Sequence, residues 1–113
     1  MKSSYFITKQ ICTISIDPLD VTLKTFGIDI MHIIQKNKIS NVIVNMVYFE
    51  IVTSETINFL EKLVDILKLN NVETIVCGFN VESASILFHF VDDIKFNTAL
   101  NVGSALDAIK YKQ

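Results

Sequence analysis

Apolar residues recur along this chain in two alternating rhythms. Short runs rich in β-branched residues are separated by longer stretches in which apolar positions return every three or four residues. The short runs have the length and composition of strands, and the longer stretches have the period of helices with one buried face. Tyr5–Ile7 and Ile11–Ile16, separated by Thr8-Lys9-Gln10, predict a strand pair, the second with Cys12, Ile14 and Ile16 on its apolar face. Asp17-Pro18-Leu19-Asp20 is a turn, with Asp20 placed to cap the next helix. Val21 to about Asn37 predicts that helix, with Ile30, Ile33 and Ile34 on its apolar side, closed by Asn37 and Lys38.

The second half repeats the scheme. Asn41–Met46 is a near-continuous apolar run, as expected of a central parallel strand covered on both faces. Thr53 or Ser54 opens a helix carrying Ile57, Leu60, Leu63, Val64 and Leu67, and Asn70-Asn71 ends it. Val72–Cys77 is a further buried strand, stopped by Gly78. Val81–Val91 predicts a helix with Ala84, Leu87, Phe88 and Val91. Thr98–Leu100 predicts a short last strand or extended piece, and Val102–Tyr111 a last helix with Ala105, Leu106 and Ile109. Strands alternating with helices give an α/β fold with a mostly parallel sheet. No linker, repeat or low-complexity tract interrupts residues 1–113, so a single domain is expected.

Composition narrows the classes. Half of the 113 residues are hydrophobic and 19% are charged, which excludes an intrinsically disordered chain. A net charge of −2 gives no basic stripe for nucleic acid. All ten basic residues are lysine, so no guanidinium clamp on phosphate is available. Cys12 and Cys77 fit no metal spacing, CxxC motif or disulfide framework, and read as reduced core thiols of a cytoplasmic protein. No signal peptide is evident. Asp29, Asn45, Glu50 and His89 break every stretch that approaches a membrane span.

Candidate chemistry is sparse. His32 and His89 each lie within an apolar helical pattern without a ligand-type partner, and Asp92-Asp93 reads as a solvated turn. Gly27, Gly78 and Gly103 form no phosphate-binding loop. No enzyme, metal or cofactor is expected. One junction stands out, Tyr48-Phe49-Glu50-Ile51-Val52-Thr53-Ser54-Glu55-Thr56, where a buried strand gives way to a helix at the carboxyl edge of a parallel sheet. Its hydroxyls either cap the helix or accept a phosphate, since free N–H groups and a positive dipole end tolerate a dianion. Tyr48, Phe49, Phe88 and Phe90 are the aromatic candidates for a surface that meets another protein.

Four stretches resemble the STAS domain family, in its stressosome branch of RsbS-like proteins. They are Val42-Ile43-Val44-Asn45-Met46, Ile51-Val52-Thr53-Ser54, Val72-Glu73-Thr74-Ile75-Val76-Cys77-Gly78-Phe79 and Phe96-Asn97-Thr98-Ala99-Leu100-Asn101-Val102-Gly103-Ser104-Ala105-Leu106. The resemblance runs from about Ile11 to Ile109 and implies a small, mixed, mostly parallel sheet of four or five strands flanked by about four helices. It implies that Ser54, or as second choice Thr53, is phosphorylated, and that Tyr48, Phe49, Glu50, Thr53 and Glu55 meet the partner. The implied partners are an RsbT-like serine kinase, RsbR-like STAS proteins in a homo- or hetero-oligomer, and a phosphatase. A free anti-sigma factor antagonist of the SpoIIAA or RsbV kind and a small-ligand-binding STAS domain are the alternatives. The chain departs from the family pattern at Asn45 and Thr53, where aspartates are usual, and at Asn80-Val81, where a residue followed by proline is usual.

Overall fold

A computed structural model describes residues 1–22, 24–89 and 94–112. Five strands, β1 (Ser4–Thr8), β2 (Ile11–Ser15), β3 (Asn41–Asn45), β4 (Glu73–Cys77) and β5 (Asn97–Thr98), form one sheet in chain order. β1 and β2 are an antiparallel hairpin, and β2 through β5 run parallel. Four helices accompany them: α1 (Phe26–Asn37), α2 (Ser54–Leu69), α3 (Val81–His89) and α4 (Val102–Lys112). The mixed, mostly parallel α/β sheet expected from the sequence is present.

Because parallel neighbours follow one another in sequence, right-handed crossovers carry the intervening helices to the same face of the sheet. Phe26, Ile30 and Ile34 of α1 and Leu60, Leu63 and Leu67 of α2 accordingly share one core with Cys12, Ile14, Val42, Val44 and Val76. The rings of Phe26 and Phe59 stack at a tilt, 5.4 Å apart, between α1 and α2. The opposite face is left to α4, whose Ala105 and Ile109 bury Ile43, Ile75 and Cys77. Cover on both faces explains why β3 and β4 read as continuous apolar runs. Burial pushes the Cys12 and Cys77 thiols up to about 11, which keeps both neutral and unreactive at ordinary pH.

Two expectations are corrected. α1 begins at Phe26 rather than Val21, because Pro18–Thr22 wind into a 3-10 turn. The turn starts from the Asp17 carboxylate, which accepts the Leu19 N–H at 2.9 Å. Asp20 caps no helix. It is fully buried and accepts the N–H groups of Lys2 and Ser3 and the Ser3 hydroxyl, fastening the start of the chain beside β1. Burial alone would raise its pKa, but these hydrogen bonds outweigh it and hold the carboxyl below its usual 3.8. The clamp therefore contributes stability above that pH and loses it in acid, as the carboxylate takes up its proton. The sequence expectations for Phe90, Val91, Asp92 and Asp93 lie outside the described residues, as do those for the side chains of Phe88 and His89.

Candidate functional site

The carboxyl ends of β3 and β4 are held close by backbone bonds. The Met46 N–H donates to the Cys77 carbonyl at 2.8 Å, and the Gly78 N–H to the Leu100 carbonyl at 3.3 Å. Gly78 sits at φ +82°, which strains any L side chain, and a Cβ there would collide with the Asn45 side-chain oxygen and lie 3.2 Å from the Met46 backbone nitrogen. From this junction the chain turns at residues 46–49, where the Phe49 N–H donates to the Met46 carbonyl at 3.0 Å. It then runs extended into α2.

The start of α2 separates two neighbouring hydroxyls. Thr53 is the N-cap, with extended backbone at φ −100° and ψ 170°. Its Oγ1 accepts the Thr56 N–H at 3.3 Å and lies 3.2 Å from the buried Thr56 hydroxyl. Ser54 is the first helical residue and is exposed, and its hydroxyl makes no hydrogen bond among the described residues. Of the two capping candidates, Thr53 caps and Ser54 does not. Glu50 and Glu55 flank the pair, both exposed, and no lysine occurs between Lys38 and Lys62.

The apolar rim differs from the sequence expectation in its members. Tyr48 is 60% exposed, but Phe49 is only 6% exposed and belongs to the core, where it offers a partner no side-chain surface. The turn at 46–49 sends Phe49 inward and presents Val47 (57% exposed) and Ile51 (69%) with Tyr48. Val81 and Leu100, which follow β4 and β5, are exposed at the same edge of the sheet. Reading the sequence missed Val47, Ile51, Val81 and Leu100, since in an apolar stretch nothing distinguishes an exposed valine from a buried one. It also missed Asn80, whose amide nitrogen donates to the Glu50 carbonyl at 2.7 Å, a contact across 30 residues.

Elsewhere the structure holds little chemistry. His32 is exposed on α1, and among the described residues no three His, Cys, Asp or Glu side chains gather as metal ligands. Among the same residues no helix is long and apolar enough to cross a membrane. A groove of about 700 Å³, lined by Lys68, Asn71, Glu73, Lys95 and Asn97 among others, opens at the amino edge, away from Ser54.

No family model and no curated protein sequence matches the chain. Solved structures do. A serine-to-glutamate variant of RsbS from Moorella thermoacetica superposes with a TM-score of 0.79 at 18% identity, covering 99% of this chain and 97% of that one. A chain of the stressosome, described as a signal integration and transduction hub, superposes at 0.80 with 19% identity, covering 96% and 97%. The anti-sigma factor antagonist SpoIIAA in its unphosphorylated form superposes at 0.64 with 14% identity, covering 96% and 97%. With TM-scores of 0.64 to 0.80 over nearly its whole length, the chain has the STAS fold.

Proposed function

We propose that this chain is an RsbS-type scaffold and kinase substrate, which holds a switch-type serine kinase at the carboxyl edge of its sheet and releases it once Ser54 is phosphorylated. The observation that carries the reading is the division between the two hydroxyls. The Thr53 oxygen is engaged in capping α2, whereas that of Ser54 is exposed and unbonded at the helix start. Among proteins of the same fold, SpoIIAA occurs in unphosphorylated and phosphorylated forms.

In the transfer, the Ser54 oxygen attacks the γ-phosphorus of ATP, the bond to the β-γ bridging oxygen breaks, ADP leaves and the hydroxyl proton is lost. The product carries about −1.5 to −2 of charge at neutral pH. The first-turn N–H groups and positive end of α2 accept this charge, so the helix persists. Docking does not tolerate it as easily. Val47, Tyr48 and Ile51 surround the approach with apolar surface, and a partner packed on them would have to strip water from a dianion that already stands between Glu50 and Glu55. Phosphorylation thus weakens the complex without unfolding the protein, and a phosphatase resets it. RsbR-like STAS proteins complete the assembly, in the cytoplasm, and the chain acts as substrate rather than catalyst.

The test is incubation with ATP and the serine kinase encoded beside its gene, followed by mass-spectrometric mapping. Phosphate on Ser54 is expected. An active kinase that leaves Ser54 and Thr53 unmodified overturns the reading, and modification of Thr53 alone overturns the choice of acceptor.

A further inference from the structure

Asn80 joins two parts of the carboxyl edge with one side chain. Its Oδ1 accepts the Ser83 N–H at 2.7 Å, and its backbone carbonyl accepts the Ala84 N–H at 2.8 Å, which together close the first turn of α3. Its Nδ2 points the other way and donates to the backbone carbonyls of Glu50 at 2.7 Å and Phe49 at 3.4 Å. Few side chains can do both. Asp, Ser and Thr cap helices as well as Asn does, but Asp has no donor, and a Ser or Thr hydroxyl accepts and donates through one oxygen held at the cap, without the second arm that reaches the Glu50 and Phe49 carbonyls. The carboxamide places an acceptor and two donors on one planar group at the same short reach.

The residues held in this way lead directly into α2. After Glu50, the chain is fixed by the buried Val52 and by the Thr53 cap, while Ile51 and Ser54 face solvent. We propose that Asn80 is a positioning residue for the phosphoacceptor segment. Its amide fixes the loop that presents Ile51 and Ser54, and ties it to the start of α3, so that the exposed Val81 belongs to the same contact surface. This rests on the reading of Ser54 as the acceptor. A residue with no side-chain donor at this position would cap α3 or leave it uncapped, but would release the loop.

Asn80→Asp separates the two duties, because it keeps the capping oxygen and sets a carboxylate against two carbonyls where the donor was. Order parameters from ¹⁵N relaxation are expected near 0.85 for Glu50 and Ile51 of the wild-type protein and below about 0.6 in N80D. Ser83 and Ala84 should keep their wild-type values. Asn80→Ala, which loses both contacts, should loosen the start of α3 as well. Phosphorylation of N80D at Ser54 by the same kinase should show kcat/KM about tenfold lower, mainly through KM, since the loop must be ordered on docking. Unchanged order parameters for Glu50 and Ile51 in N80D overturn the tether. A loosened loop with unchanged phosphorylation kinetics overturns its positioning role. A wild-type protein that the active kinase leaves unmodified overturns the acceptor reading instead, while the relaxation data still decide the tether.

Discussion

The two ends of the parallel strands differ in what they show to solvent. At the carboxyl edge Val47, Tyr48, Ile51, Val81 and Leu100 are exposed beside Glu50, Glu55 and Glu82. At the amino edge Lys9, Lys38, Lys68 and Lys95 are exposed together with Glu73 and a single apolar residue at the end of α2, Leu69, and Lys68, Glu73 and Lys95 line an open groove. Lone exposed apolar residues are common, but several on one edge of a small protein mark a surface for another protein. Part of the apolar excess of this sequence thus closes the core on both faces of the sheet, and part gathers as five exposed residues at the carboxyl edge. The same edge carries the free hydroxyl of Ser54.

The backbone repeats the contrast. At the amino edge the left-handed positions are occupied by residues other than glycine, Lys9, Lys38 and Asn71, in open turns. At the carboxyl edge the one left-handed position among the described residues is Gly78, pressed against the Asn45 side chain. Exchanging residue types at the two ends should therefore act in opposite directions. Gly78→Ala is expected to destabilise by about 3 kcal/mol in urea unfolding, from left-handed strain and the collision with Asn45. Lys38→Gly at the end of α1 should be neutral or stabilising by about 0.5 kcal/mol, because relief of the same strain outweighs the entropy of glycine. Equal losses at both positions would break the comparison.

A smaller effect sharpens it within the site. Thr53→Ala should cost about 1 kcal/mol, the value of a lost N-cap, whereas Ser54→Ala should stay within about 0.5 kcal/mol. Thermal or urea unfolding of the two variants side by side checks this. A cost that falls on Ser54 and spares Thr53 would assign the cap to the wrong hydroxyl and remove the ground for a free acceptor.

How much of this was legible in the sequence depends on the range of the forces involved. β3 and β4 announce themselves because burial on both faces demands unbroken apolar residues, and α2 because Leu60, Leu63 and Leu67 repeat a helical period over about two turns. The start of α1 was hidden. Val21 continues an apolar pattern, and only the buried Asp20, bound to Lys2 and Ser3 some 17 or 18 residues away, shows that the chain is still turning there. The junction at residues 48–56 was visible as a helix start with two hydroxyls, but the choice between them was not. It depends on the backbone angles of Thr53 and on which oxygen meets the Thr56 N–H. Phe49 and Ile51 look alike as apolar letters, and only the turn at 46–49 sends one inward and the other out. The role of Asn80 was hidden, because its partners lie 30 and 31 residues earlier in the chain.

The central claim is that the unmodified carboxyl edge holds a kinase and the phosphorylated edge releases it. Calorimetric titration of the ADP-bound kinase with unmodified protein, and with protein fully phosphorylated at Ser54, tests it most directly. Binding at least tenfold weaker is expected for the phosphorylated form, with both forms equally folded. Equal affinity for the two forms would contradict it.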